Sequence, residues 1–260
     1  EREDSEASGE DTSIDGLFAL YEFRPSDFLT ITAGVRRDDH ERLDGEITSR
    51  LAAAYNPNDQ ITLSASWGEG FKAPTLFQTT FFCCGAVVAN ATLMPEVSAA
   101  FDVGVTVRTT DNRGELGLTY FAQDTTNLIT FAFVIGGYEN IAVAKTSGVE
   151  LHGRYQFNDW ARVSASYADI DAVDGAGIKL LRVPEQTGDI TISMDPNGPF
   201  SGNLLMRYNG SEVDPNGMVG SWTRFDVAGR YQMSDSIEIY ARIENLLDRE
   251  YQQILGYGTP

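Results

Sequence analysis

"QITLSASW" (60–67) alternates apolar and polar residues: Ile61, Leu63, Ala65 and Trp67 fall on one side, Thr62, Ser64 and Ser66 on the other. A helix would wind these positions around its axis, whereas a strand sends successive side chains to opposite faces. The same reading extends to "ARVSASY" (161–167), with Val163, Ala165 and Tyr167 against Arg162, Ser164 and Ser166. "TRFDVAGRYQM" (223–233) sets Phe225, Val227 and Tyr231 against Arg224, Asp226 and Arg230. "SIEIYARIEN" (236–245) sets Ile237, Ile239 and Ile243 against Glu238, Arg242 and Glu244. Charge and apolar bulk separate in every case.

Carried along the chain, this period of two gives about twelve strands. They lie near 14–24, 28–37, 46–55, 60–68, 97–108, 114–131, 138–157, 160–169, 186–194, 201–209, 222–232 and 236–246. Short links rich in turn formers, such as "RPSD" (24–27), "NPND" (56–59), "TDNR" (110–113) and "FND" (157–159), alternate with longer ones at 38–45, 69–96, 132–137, 170–185 and 210–221. The expected fold is all-β, an antiparallel meander with short turns on one rim and long loops on the other, the organisation of an outer-membrane barrel. A soluble sandwich also uses amphipathic strands. Against it stand strands of about 9 to 12 residues, mid-strand charges such as Arg50, Asp102, Arg154 and Arg207, and aromatic residues near strand ends such as Tyr55, Trp67, Trp160 and Tyr208.

Composition narrows the field further. A net charge of −19 and a pI near 4.3 argue against nucleic acid as a partner, which needs a basic stripe. Mean hydropathy is −0.23, and no apolar run approaches the roughly 20 residues of a spanning helix. That pattern excludes a helical membrane protein and leaves a strand-built one open, because alternating strands average to a polar composition. The acidic opening "EREDSEASGEDTS" has no secretory hydrophobic region, so a mature start or a fragment is expected. The cysteines, Cys83 and Cys84, are adjacent, which suits neither a disulfide framework nor a zinc set.

Several stretches, in order, resemble the TonB-dependent outer-membrane receptors, the family of ferric-siderophore and cobalamin transporters. They are "GFKAPTLFQ" (70–78), "LMPEVSAAFDVGV" (93–105), "LTYFAQDTTNLITF" (118–131), "YENIAVAKTSGVEL" (138–151), "LLRVPEQTGDITI" (180–192) and "RIENLLDREYQQILGYGTP" (242–260). The resemblance covers about residues 30–260. It implies that the meander is part of a roughly 22-stranded transmembrane β-barrel in the bacterial outer membrane. It also implies uptake of a ferric siderophore or cobalamin-like ligand, contact with lipid and lipopolysaccharide, and TonB as a partner through a plug. No plug, energy-coupling box or final strand is recognisable. The chain therefore reads as residues 1–13, the remnant of an acidic extracellular loop, followed by a partial barrel over 14–260.

Candidate site residues follow from this arrangement. Arg50, Arg162, Arg224 and Arg242 alternate onto the polar face and are expected to face the lumen. The 69–96 link holds Phe77, Phe81 and Phe82, too many large rings for an idle solvated loop, and these are the candidate ligand contacts. No catalytic set stands out. His40 falls in a loop and His152 stands alone on the polar face. The acidic clusters "DDHERLDGE" (38–46) and "DIDAVDG" (169–175) resemble calcium loops loosely and lack the EF-hand spacing, so no metal site is assigned. A passive porin and a barrel enzyme are the competing classes. The porin would conduct without a plug, and the enzyme would need a catalytic set at the barrel mouth.

Overall fold

The computed structural model describes residues 2–7, 10–80, 88–132, 134–196 and 198–258. The first half forms β1 (Arg2–Ala7), β2 (Glu10–Ser26), β3 (Leu29–His40), β4 (Glu46–Asn58), β5 (Ile61–Lys72), the short helix α1 (Leu76–Thr80), β6 (Glu96–Arg108) and β7 (Gly114–Ala132). The second half forms β8 (Gly137–Asn158), β9 (Ala161–Asp174), β10 (Gln186–Met194), β11 (Phe200–Asn209), β12 (Glu212–Asp214), β13 (Gly217–Val219), β14 (Trp222–Ser234) and β15 (Ile237–Ile243). Thirteen of these make one sheet in sequence order, β1 to β11 followed by β14 and β15, while β12 and β13 pair as a separate hairpin. Each neighbouring pair in the sheet is antiparallel. The expected meander is present.

Register keeps the two faces distinct across the sheet. One row of directly opposed residues runs Tyr55, Leu63, Val105, Leu118, Leu151 and Tyr167 from β4 to β9. The adjacent row on the other face runs Ala54, Ser64, Gly104, Thr119, Glu150 and Ala168. Because strand side chains alternate, a slip of one residue would exchange these rows wholesale, so the apolar pattern fixes the register. Two short turns are closed the same way. Asn58 Oδ1 accepts from the N–H groups of Gln60 and Ile61, and Asn158 Oδ1 accepts from those of Trp160 and Ala161.

Two places depart from the sequence reading. Residues 2–7 and 10–13, expected as loop, are a paired extension of the sheet in which Asp4 opposes Ser13 and Ala7 opposes Glu10. Their polar side chains give no alternation, and the ladder itself holds them. The expected longer link at 132–137 is a tight hairpin: Phe131 opposes Tyr138, Ala132 opposes Gly137, and Gly136 turns the chain at φ 66°. Strands β7 and β8 thereby outreach their neighbours at that rim. The sheet ends at β1 and β15, with no ladder joining the two among the described residues.

Candidate functional site

The polar face carries Arg50, Arg162, Arg224 and Arg242. Their opposed partners are Gly68, Ser193, Arg207 and Ala228. Carboxylates are interleaved with them: Arg224 donates to Asp226 at 2.8 Å, and Arg242 lies 3.0 Å from Glu244. Arg108 and Arg154 share Glu115, while the hydroxyls of Ser66 and Ser166 donate to Asp102 and Asp189. The His152 ring covers Gly117, where an added Cβ would collide with it. Among the described residues this wall is polar, several of its charges are paired within it, and no nucleophile is set against a base.

The connection from β5 to β6 crosses the loop end of the sheet. Thr75 and Gln78 cap α1 reciprocally: the Gln78 N–H donates to Thr75 Oγ1, and the Thr75 N–H donates to Gln78 Oε1. Pro74, Leu76 and Leu93 are buried, and α1 packs against β1 and β2. A cleft of about 150 Å³ lies between Leu76, Thr80 and Leu93 on one side and Thr12, His40 and Arg42 on the other. His40 Nδ1 accepts from the Arg42 N–H at 3.0 Å, and Nε2 lies 3.5 Å from Thr12 Oγ1. Burial, helped by the Arg42 charge, pushes the His40 pKa below its ordinary value.

The other limb of this connection reaches the β7–β8 hairpin. The Val88 N–H donates to Gly136 O, Asn90 Nδ2 to Tyr138 O, and the Met94 N–H to Asn140 Oδ1. Phe77 meets Tyr138 edge-on, ring centroids 6.3 Å apart, and remains 43% exposed. Phe81 and Phe82, with Cys83 and Cys84, lie outside the described residues. The described residues on either side of these, 74–80 and 88–94, are thus anchored to β1–β2 and to the β7–β8 hairpin respectively. Two clefts of about 350 and 440 Å³ occupy the sheet and share Arg50 and Glu69. The first takes Phe18 and Leu20 from β2; the second takes Asp102, Phe121 and Gln123 from β6 and β7. Phe18 and Leu20 are absent from the sequence reading because β2 is apolar on both faces, which hides the period of two.

A second buried cluster forms around the β12–β13 hairpin. The Asp214 side chain is fully buried and accepts from Arg182 Nε at 3.0 Å and from the Asn216 N–H. Burial opposes its charge, yet these hydrogen bonds prevail and hold the carboxyl below its ordinary range. Burial and the Asp214 charge push Glu212 up. Alongside, Trp222 packs on Tyr251 with ring centroids 4.4 Å apart, and Arg224 Nη1 donates to Tyr251 Oη. Asn245 and Asp248, both at positive φ, turn the chain so that Tyr251 returns to this cluster. Among the described residues no three His, Cys, Asp or Glu side chains gather as a metal site.

The family model described as TonB dependent receptor-like, beta-barrel matches residues 3–246. The chain belongs to this family. TonB-dependent receptors are proteins of the bacterial outer membrane. Among curated relatives, the vitamin B12 transporter BtuB of Vibrio vulnificus strain YJ016 is 27% identical over 237 residues, covering 88% of this chain and 37% of the transporter. The BtuB of strain CMCP6 is 26% identical, covering 97% and 41%. The chain thus spans about two fifths of the length of these relatives. The siderophore receptor PirA from Pseudomonas aeruginosa has the same fold with a TM-score of 0.77 at 22% identity, over 92% of this chain and 44% of that one. The ferripyoverdine receptor from the same organism gives 0.76 at 20%, over 95% and 36%.

Proposed function

We propose that this chain is the wall and loop end of an outer-membrane receptor that takes up a bulky ligand, a ferric siderophore or a cobalamin-like molecule, with energy supplied through TonB. The observation that carries the reading is the β5–β6 connection, whose helix α1 packs against β1 and β2 and whose Val88 and Asn90 bind the β7–β8 hairpin, at the end of a sheet with one polar face. A connection so held at the end of a polar wall suits capture of a ligand and its passage, not covalent chemistry. The complete barrel has about 22 strands in this reading. Arg50, Arg162, Arg224 and Arg242 face its lumen, and residues 2–13 stand outside the membrane. Phe77, Phe81 and Phe82 contact the ligand, lipopolysaccharide surrounds the outer rim, and TonB engages a plug. No resident cofactor is needed.

The test is uptake in a strain lacking the receptor gene, complemented with the full-length gene or with its Phe81→Ala, Phe82→Ala double variant. Energy-dependent accumulation of radiolabelled ferric siderophore or cyanocobalamin is expected with the parent. The double variant is expected to accumulate less at equal amounts of folded barrel. Equal uptake without an energised inner membrane would instead establish a passive channel.

A further inference from the structure

Cations at the loop end are already committed to carboxylates of the same chain. Arg36 lies 2.7 Å from Asp38, Arg37 2.6 Å from Asp39, and Arg42 2.9 Å from Glu10. Lys72 lies 3.0 Å from Glu96, Lys179 2.7 Å from Asp171, and Arg182 3.0 Å from Asp214. Two further cations of this end are dispersed: Lys145 opposes Asp124 on the apolar side, and Arg249 sits between Asp248 and Glu250 in sequence. Carboxylates at the same end are in surplus. Glu3, Glu6, Asp11, Asp44, Glu139 and Glu250 are all in solvent-exposed positions, consistent with the net charge of −19.

A polyanionic ligand needs unpaired cations to meet it. Here each paired cation would have to leave a carboxylate within 3.0 Å, and that carboxylate would then face the ligand. The long-range field adds to this, because surplus negative charge at a binding mouth repels anions before contact and slows their association. The two clefts on the polar face are lined largely by apolar and neutral groups, Phe18, Leu20, Phe121 and Gln123 among them, and their charged groups balance, Arg36 and Arg50 against Glu69 and Asp102. From this pairing we infer that the ligand taken up at this end carries no net negative charge: the receptor selects a neutral or cationic chelate over a polyanionic one. The inference rests on the uptake reading above and narrows it by ligand charge.

The experiment uses the full-length receptor in a non-ionic detergent and three probes: neutral cyanocobalamin, a singly cationic ferric trihydroxamate, and a triply anionic ferric tris-catecholate. Binding is measured at about 20 mM and about 500 mM salt, which spans weak to nearly complete screening of exposed charges. The neutral or the cationic probe should bind at least about tenfold more tightly than the catecholate at low salt. Any residual catecholate binding should strengthen as salt rises. Replacing Asp11, Asp44 and Glu139 together with Lys should speed catecholate association several-fold at low salt. If the catecholate binds best at low salt, or weakens as salt rises, the charge inference is overturned while uptake stands. If none of the three binds, the uptake reading fails and takes this inference with it.

Discussion

The wall of the sheet and its loop end are held together by different means. In the wall, apolar residues such as Leu63, Val103, Leu118 and Leu151 are 41–50% exposed on the protein surface, and the strands are joined by continuous backbone ladders. At the loop end the chain makes its own core: Leu76, Leu93, Val219, Trp222 and Tyr251 are each no more than 7% exposed. The wall therefore relies on lipid to cover its apolar face, whereas the loop end buries apolar surface as a water-soluble protein does. A perturbation should accordingly register in one region and leave the other intact.

The largest separation is expected from Trp222→Ala. Removing a large buried ring costs about 3–5 kcal/mol where the site cannot collapse. The loss should fall on the hairpin of β12 and β13, read as faster hydrogen exchange at the Val213 and Val219 amides. Protection in β5 to β8 should be unchanged; loss of protection there would merge the two regions. Next comes the matched pair Val103→Arg and Thr119→Arg, on opposite faces of neighbouring strands. The lipid-face change should cost about 2–4 kcal/mol near the bilayer midplane and the polar-face change close to nothing. Urea titration of the receptor folded into phospholipid vesicles would distinguish them.

Smaller effects should come from the buried charges of the hairpin. Arg182→Gln removes the guanidinium from the buried Asp214 carboxylate and leaves it to Asn216, a loss of about 1–3 kcal/mol confined to residues 180–222. The pH dependence has two opposing arms. Asp214, held low, contributes stability that is present above its ordinary carboxylate value and lost as pH falls through its lower folded value. Glu212, pushed up, favours the folded hairpin in its protonated form, a contribution lost as pH rises through its raised value. Hairpin protection should therefore peak in mildly acidic solution. Glu212→Gln should remove the decline on the alkaline side while the acid arm persists. A hairpin equally protected across this range in both proteins would contradict the assignment.

The same division explains what the sequence discloses. The wall was legible because each strand repeats one local rule, and a register that keeps Leu63, Val105 and Leu118 in one row leaves Ser64, Gly104 and Thr119 in the next. β1 was not legible, since "REDSEA" is polar on both faces and is a strand only because Glu10–Asp15 pairs with it. β7 and β8 were legible to within a residue at each end, but the tightness of their turn was not, because "FAFVIGG" interrupts the alternation with apolar neighbours and two glycines. The β5–β6 connection and the Trp222–Tyr251 cluster depend on contacts between distant segments, such as Asn90 with Tyr138 and Arg182 with Asp214. No local period encodes those. Of the candidate site residues, the four arginines share one face in the register, as their parity implies, whereas the contact of Phe77 with Tyr138 joins distant segments and has no local signal.

The most direct test of the two-faced wall is cysteine scanning along β6 and β7 in the full-length receptor, with Cys83 and Cys84 replaced by Ser. A single cysteine would be placed in turn at Phe101, Asp102, Val103, Gly104, Val105 and Thr106, then at Leu118, Thr119 and Tyr120, in intact outer membranes. Each would be exposed to a charged maleimide and, after spin labelling, to a lipid-phase and an aqueous relaxing agent. The account predicts strict alternation: 102, 104, 106 and 119 are relaxed from water, and 101, 103, 105, 118 and 120 from lipid. Uniform aqueous access at all nine positions would contradict it and make the sheet a soluble one.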